Sequence, residues 1–290
     1  MRKIEGKEYR TEELKRMLYR LKKNKLSIVG LVLVSIIFFM ALFAEVIAPY
    51  PEDSYKIHIE KVFQPPSWEH LFGTDEMGRD ILSRVILGSR ISLVLGISVI
   101  IIATSLGTFL GLIAGYMGGF IGSLIMRITD VFLSVPSMAL VLAVSAVVEP
   151  TMENLIFAIS FGWWPWYTRL VYGEVLSLKE EEFVQAAESL GASSLYIMFK
   201  EILPNLIPIL IVKGSLDMGY AILTGSILGF LGLGVRPPTP EWGTMIGNGR
   251  LHLPGKWWLT FFPGLAIFLT VFSFNLLGDG LRDALDVKLE

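Results

Sequence analysis

The sequence predicts an all-α membrane protein with six transmembrane helices. Three observations carry that prediction. Apolar residues make up 53% of the 290-residue chain, and mean hydropathy is +0.59. Charged residues make up only 18%, where a soluble protein carries about a quarter. The deficit is gathered into long uncharged blocks, most of them close to the roughly 20 residues a helix needs to cross a hydrocarbon core.

Six such blocks follow in order. Residues 26–48 carry a single charge, Glu45, near one end. The first apolar run begins near Leu26 and is too long for the core of a cleavable signal peptide, so no such peptide is expected. Residues 91–116 are uncharged and hold Gly96, Gly107, Gly111 and Gly115, small residues that suit close helix packing in lipid. Residues 121–148 carry Arg127 and Asp130 near their start and Pro136 within. Residues 155–172 are short and aromatic, with Trp163, Trp164, Trp166 and Arg169. Residues 206–233 and 257–277 complete the set.

Ten Lys or Arg precede Leu26, so the N-terminus is expected in the cytoplasm. An even number of spans returns the C-terminus there. The predicted organisation is a cytoplasmic segment 1–25, a first span 26–48, an extracytoplasmic segment 49–87, a transmembrane domain 88–279 and a cytoplasmic tail 280–290. Within that domain, residues 173–205 form an inside loop.

Several function classes are excluded early. The chain has no Cys, which removes disulfides, Cys-based zinc sites and thiol catalysis. Net charge is -2, so no global basic field points to nucleic acid. No phosphate-binding G-x-x-x-x-G-K-[ST] run is present; Gly255-Lys256 is followed by Trp257. Nor is there a metalloprotease H-E-x-x-H or a G-x-S-x-G nucleophile turn. His58, His70 and His252 fall in outside segments and read as isolated solvated side chains, not metal ligands.

The inside loop is the most informative stretch. Its acids Glu180, Glu181 and Glu182 open one short helix, where the helix dipole favours negative charge. Gly191 stands where a left-handed C-cap would end that helix. Ser193 and Ser194 can cap a second, largely apolar helix, which Pro204 is expected to close before the next span. Ala186 and Ala187 leave the first helix thin, so another protein could approach closely. The competing reading is an amphipathic connector on lipid headgroups. Six acids against Lys179 and Lys200 make an anionic membrane surface the poorer partner.

Charges within spans are the other candidates. Lys213 and Asp217 share a helix face and would either line a translocation path or neutralise each other, the second being favoured, with Lys213 snorkelling. Arg127 and Asp130 form a similar i, i+3 pair. Asn275 and Asp279 read as packing near the inner end of the last span, with Asn275 also a candidate for the path. In the outside segment, Trp68 and Phe72 read as interfacial anchors or as a surface for a delivery protein. Asp75, Arg79 and Asp80 read as fixing that segment's own fold.

Gln185-Ala186-Ala187, three residues, Gly191 and then Leu203-Pro204 resemble the Glu-Ala-Ala loop of ABC importer permeases, with Gln185 in place of Glu and Glu201 where many members have Ile. Gly73-Thr74-Asp75, Gly78-Arg79-Asp80 and the run to Arg90 resemble the signature of the dipeptide/oligopeptide permeases of the C type. Phe230 to Gly234, Pro237 to Gly243 and Phe274 to Asp286 are similar to the same branch. The resemblance implies a type I ABC importer permease fold with both termini cytoplasmic and a coupling loop at Gln185, Ala186, Ala187, Gly191, Leu203 and Pro204. It further implies a second permease subunit, two ATPase subunits that carry ATP and Mg, and an extracytoplasmic solute-binding protein. This chain would bind no cofactor and sit in a prokaryotic cytoplasmic membrane. Peptides are the expected cargo; oligosaccharides or nickel are alternatives within the branch. The rivals from other classes are an ion-coupled secondary transporter and a membrane enzyme.

Overall fold

A computed structural model describes residues 24–285 apart from residue 53. The basic N-terminal run and the last five residues, on which part of the orientation argument rests, lie outside the described residues. Those described are helical, with one isolated antiparallel bridge between Thr74 and Asp80 and no strand.

Helix α1 (Lys25–Leu42) begins at Asn24, whose side chain accepts from the Leu26 and Ser27 amides. A further turn, Ala44–Ile47, follows it. Its buried stripe Ser27, Gly30, Val34, Ile37 and Ala41 follows helical spacing, while Leu31, Ile36, Phe39 and Phe43 are exposed on other faces. Exposed apolar residues on this scale belong in hydrocarbon.

Helix α2 (Ile81–Met117) begins ten residues before the apolar block, because Asp80 caps it and its outer turns are buried under the preceding segment. Its 37 residues reach about 55 Å, well beyond the roughly 30 Å of a hydrocarbon core. The third apolar block is not one helix. It is α3 (Gly119–Ser134) and α4 (Ser137–Ser145), bent by 83° at Val135 and Pro136, since Pro136 has no amide to continue the ladder.

Helix α5 (Met152–Lys179) lies parallel to α2. Gly107, Gly111 and Gly115 face Tyr167, Val171 and Val175 in step, and a Cβ added at Gly111 would sit 2.7 Å from that of Val171. The backbones approach this closely because the glycines have no side chain. Helix α6 (Glu182–Ser189) is followed by α7, continuous from Ser194 to Phe230. Pro204 therefore does not close a separate helix. It sits in the first turn of the α-helical part, Leu203–Phe230, after a π-helical turn Ile197–Ile202, where a missing amide costs little. A short α8 (Trp242–Gly249) precedes α9 (Trp258–Leu285).

By length and composition α1, α2, α7 and α9 can cross a membrane, and the bent pair α3–α4 makes a fifth candidate. The predicted fourth span, residues 155–172, lies in α5, whose 28 residues include Glu153, Arg169, Glu174 and Lys179. Its run of Trp163, Trp164, Pro165, Trp166 and Tyr167 beside Arg169 lowers its hydropathy and keeps it out of that apolar class, although it packs along α2.

Candidate functional site

Helix α6 is anchored on one side and bare on the other. Val184 is fully buried against Val171 and Val175 of α5 and Ile197, Ile202 and Leu206 of α7. Gln185 and Ala186 are exposed, and Leu190 is 88% exposed. Gly191 takes φ +78°, its amide donates to Glu188 O at 2.9 Å, and the Ala192 amide donates to Ala187 O at 3.1 Å. That pair of bonds is a Schellman cap, which satisfies two terminal carbonyls of α6. Nothing lies within 4 Å of a Cβ placed on Gly191, so glycine is needed for its backbone and not for space. The chain then turns at once into α7, where the Ser193 hydroxyl accepts from the Tyr196 amide at 3.3 Å. Leu203 is half-buried in the same cluster as Val184, and Pro204 is exposed.

A residue outside the loop motif ties this corner to the bundle. The Tyr116 hydroxyl, at the end of α2, donates to Glu188 Oε1 of α6 at 3.0 Å. Lys179 at the end of α5 donates to Tyr116 O at 3.0 Å and lies 5.4 Å from the centroid of its ring. Sequence reasoning passed over Tyr116 and Lys179. The one available signal was a tyrosine closing an apolar block just before Gly118-Gly119, two glycines with positive φ.

The second feature is a cavity of about 470 Å³. Trp163, Trp166 and Tyr167 of α5 face Lys213, Asp217 and Tyr220 of α7 across it, and Ser137 of α4 lies at its edge. Lys213 Nζ donates to Asp217 Oδ1 at 2.6 Å and lies 6.0 Å from the Tyr167 ring centroid. The pair that sequence spacing joined is thus an ion pair that also lines a cavity. Asp217 is buried, whereas Trp166 and Tyr220 are more than half exposed. Asn275, on α9, does not line this cavity. Asp130 pairs with Arg169 across α3 and α5, not with Arg127 on its own helix. The i, i+3 spacing put Arg127 within reach, but packing of α3 on α5 offered the competing partner.

The segment before α2 is built around buried charge. Asp75 Oδ1 accepts from the Met77 and Arg79 amides at 2.9 Å, and Oδ2 accepts from Arg79 Nε at 2.8 Å. Asp80 accepts from the Ser83 amide and hydroxyl and pairs with His70 Nδ1 at 2.9 Å. His70 is buried, and His252 packs at a tilt against Phe63 with ring centroids 4.6 Å apart, so these histidines are not isolated in solvent as the sequence suggested. Gly73 and Gly78 both have φ +74°, and the Thr74 hydroxyl donates to Lys61 O. Phe72 stacks face to face on Phe262 at 3.8 Å, which makes it a packing residue; Trp68 is fully exposed.

This segment grips the loop after α7. Arg84 donates to Ser54 O at 2.6 Å and to Pro238 O at 3.1 Å. Trp242 Nε1 donates to Val85 O, and Trp258 Nε1 donates to Thr74 O. Glu241 caps α8 by accepting from the Gly243 and Thr244 amides, and its burial pushes its carboxyl above the usual range. At the surface, a hydrogen bond from Lys61 holds the Glu69 carboxyl below it.

A family profile described as the inner membrane component of binding-protein-dependent transport systems matches residues 107–290. A second, the N-terminal transmembrane domain of oligopeptide transport permease C, matches residues 13–66. The chain belongs to the binding-protein-dependent transport permeases. Within that family it is a C-type dipeptide/oligopeptide permease subunit of an ABC importer, a multi-pass inner-membrane component. It is 47% identical to the dipeptide transport system permease protein DppC of Escherichia coli strain K12, over 93% of this chain and 91% of that one. It is 43% identical to a di/tripeptide transport system permease protein DppC of Pseudomonas aeruginosa, over 92% and 89% of the two chains. A glutathione transport system permease protein GsiD of Escherichia coli is 42% identical over 93% and 89%. This permease membership accords with a sequence that carries no phosphate-binding loop.

Proposed function

We propose that this chain forms one half of the translocation pore of an importer for short peptides, driven by ATP hydrolysis on separate subunits. Helix α6 is the coupling helix, and the face carrying Asp130–Arg169 and Lys213–Asp217 looks onto the pore. The observation that carries the reading is the asymmetry of α6, buried at Val184 and bare at Gln185, Ala186 and Leu190. Such a helix is held by its own subunit and leaves one side for another.

The exposed ion pair Arg169–Asp130 supports the pore. Charges facing acyl chains cost several kcal/mol each, so this face would turn from lipid toward water and a second permease. Parallel packing of α5 on α2 supports counting α5 as one of six spans, shielded from lipid along one side. With six spans, both termini and α6 share the cytoplasmic side. Closure of the ATPase pair would then push α6, and Val184 and Tyr116 would pass the displacement to α5, α7 and α2. The relatives named for dipeptides, di/tripeptides and glutathione support a peptide cargo.

Purification from its own membranes, with mass spectrometry of associated chains and solute, tests this. Recovery of a second permease, a chain with a phosphate-binding loop and a bound peptide is the expected result. A chain that purifies alone and moves solute on an ion gradient without ATP would overturn it.

A further inference from the structure

We propose that the Lys213–Asp217 cavity is a transit site for peptides with free ends, and that it selects zwitterions by exchange of ion partners. This rests on the reading of the chain as a peptide permease and deepens it. The pair lies near the centre of α7, where desolvated charge must be compensated. Lys213 and Asp217 neutralise each other at 2.6 Å.

A peptide with a free ammonium and a free carboxylate replaces that one pair with two. Lys213 takes the carboxylate, Asp217 takes the ammonium, and no charge is orphaned at any stage. Lys213 is the freer partner, at 30% side-chain exposure against 11% for Asp217, so its flexible stem can swing to a ligand while Asp217 stays packed. A solute with one charge leaves either Lys213 or Asp217 unpaired. A neutral solute gains nothing from breaking the pair.

The remaining walls suit the variable part of a peptide. Trp163, Trp166 and Tyr220 offer broad rings that accept apolar side chains through their faces and cations through their quadrupoles. They present little that would read one side chain against another. The volume of about 470 Å³ falls within the range of small-molecule sites. Charge selection at the ends and tolerance between them therefore come from the same cavity.

The test uses the whole complex with its delivery protein in proteoliposomes. One probe is Ala-Phe, compared with its C-terminal amide; the other is a photoleucine-containing dipeptide irradiated during turnover. Photolabel is expected on the segments containing Trp163 to Tyr167 and Lys213 to Tyr220. Lys213→Met and Asp217→Asn are each expected to lower Ala-Phe uptake at least about tenfold. The swap Lys213→Asp/Asp217→Lys, which keeps a pair, should return uptake to within about threefold of wild type. Uptake unchanged in the single variants, or label confined to other segments, would overturn the proposal. So would a swap no better than the single variants in complexes that stay assembled. A wild-type complex that hydrolyses ATP with its delivery protein but imports no peptide would sink the peptide reading, and this proposal with it.

Discussion

The Tyr116 hydroxyl donates to Glu188 Oε1 at 3.0 Å, joining the end of α2 to α6, the helix proposed to couple to the ATPase. Val184 holds α6 by burial, but burial is non-directional and tolerates sliding. The Tyr116–Glu188 bond is directional, so under the proposed coupling role it would set how far a push on α6 reaches α2. Tyr116→Phe keeps the ring beneath Lys179 and removes only this bond. It is expected to leave assembly intact and to cut peptide imported per ATP about fivefold, the scale of one exposed hydrogen bond of about 1 kcal/mol. Uptake and phosphate release measured together on the same vesicles check it.

Gly191 is left-handed with open space around it, so small and large replacements should separate two effects. Gly191→Ala adds strain of about 1 kcal/mol to the cap and is expected to lower uptake only slightly. Gly191→Trp adds bulk where the partner would sit and is expected to abolish coupled uptake while membrane insertion continues. Normal coupled uptake by the Trp variant would exclude docking at this corner. Insertion is checked by membrane fractionation and coupling by uptake.

Arg79 is buried against Asp75 at 2.8 Å, and its removal leaves that buried carboxylate with only the longer Arg84 contact, at 3.5 Å, as an ionic partner. Arg79→Met is expected to cost about 3–5 kcal/mol, and the double variant Asp75→Asn/Arg79→Met clearly less than the sum of the singles. Thermal midpoints of the four purified complexes give the comparison.

Burial raises the Glu241 carboxyl above its ordinary range, so the folded state holds this proton more tightly than the unfolded chain. Its contribution to stability is fully present below the ordinary carboxylate value and is lost as pH rises through the raised one. Wild-type midpoints should therefore fall more steeply over that window than those of Glu241→Gln, which cannot titrate. Parallel slopes would contradict the assignment.

Local backbone demands were the most legible part of the chain. The corner at Gly191 could be read because a left-handed cap favours glycine and the flanking patterns change phase there. Long apolar blocks likewise placed α1, α2, α7 and α9. What escaped depended on tertiary partners. Pro136 breaks its helix, whereas Pro165, Pro208 and Pro263 sit inside helices that run on, so a lost amide alone did not decide where a span bends. Asp130 had Arg127 near in sequence and Arg169 near in space, and packing chose the latter. His70 reads as a lone polar residue until the fold buries it beside Asp80. The cavity needed α5 and α7 side by side, and no spacing along the chain records that distance.

The absence of cysteine gives the central claim a direct measurement. Ala186→Cys introduces the only thiol of this chain, on the bare face of α6. In native membranes, a short bifunctional thiol-to-amine cross-linker is predicted to join it to the subunit carrying the phosphate-binding loop, with a yield that changes when ATP is bound. A thiol that links to no such subunit, and that lipid-soluble reagents label freely, would show α6 lying on the membrane and would contradict the coupling account.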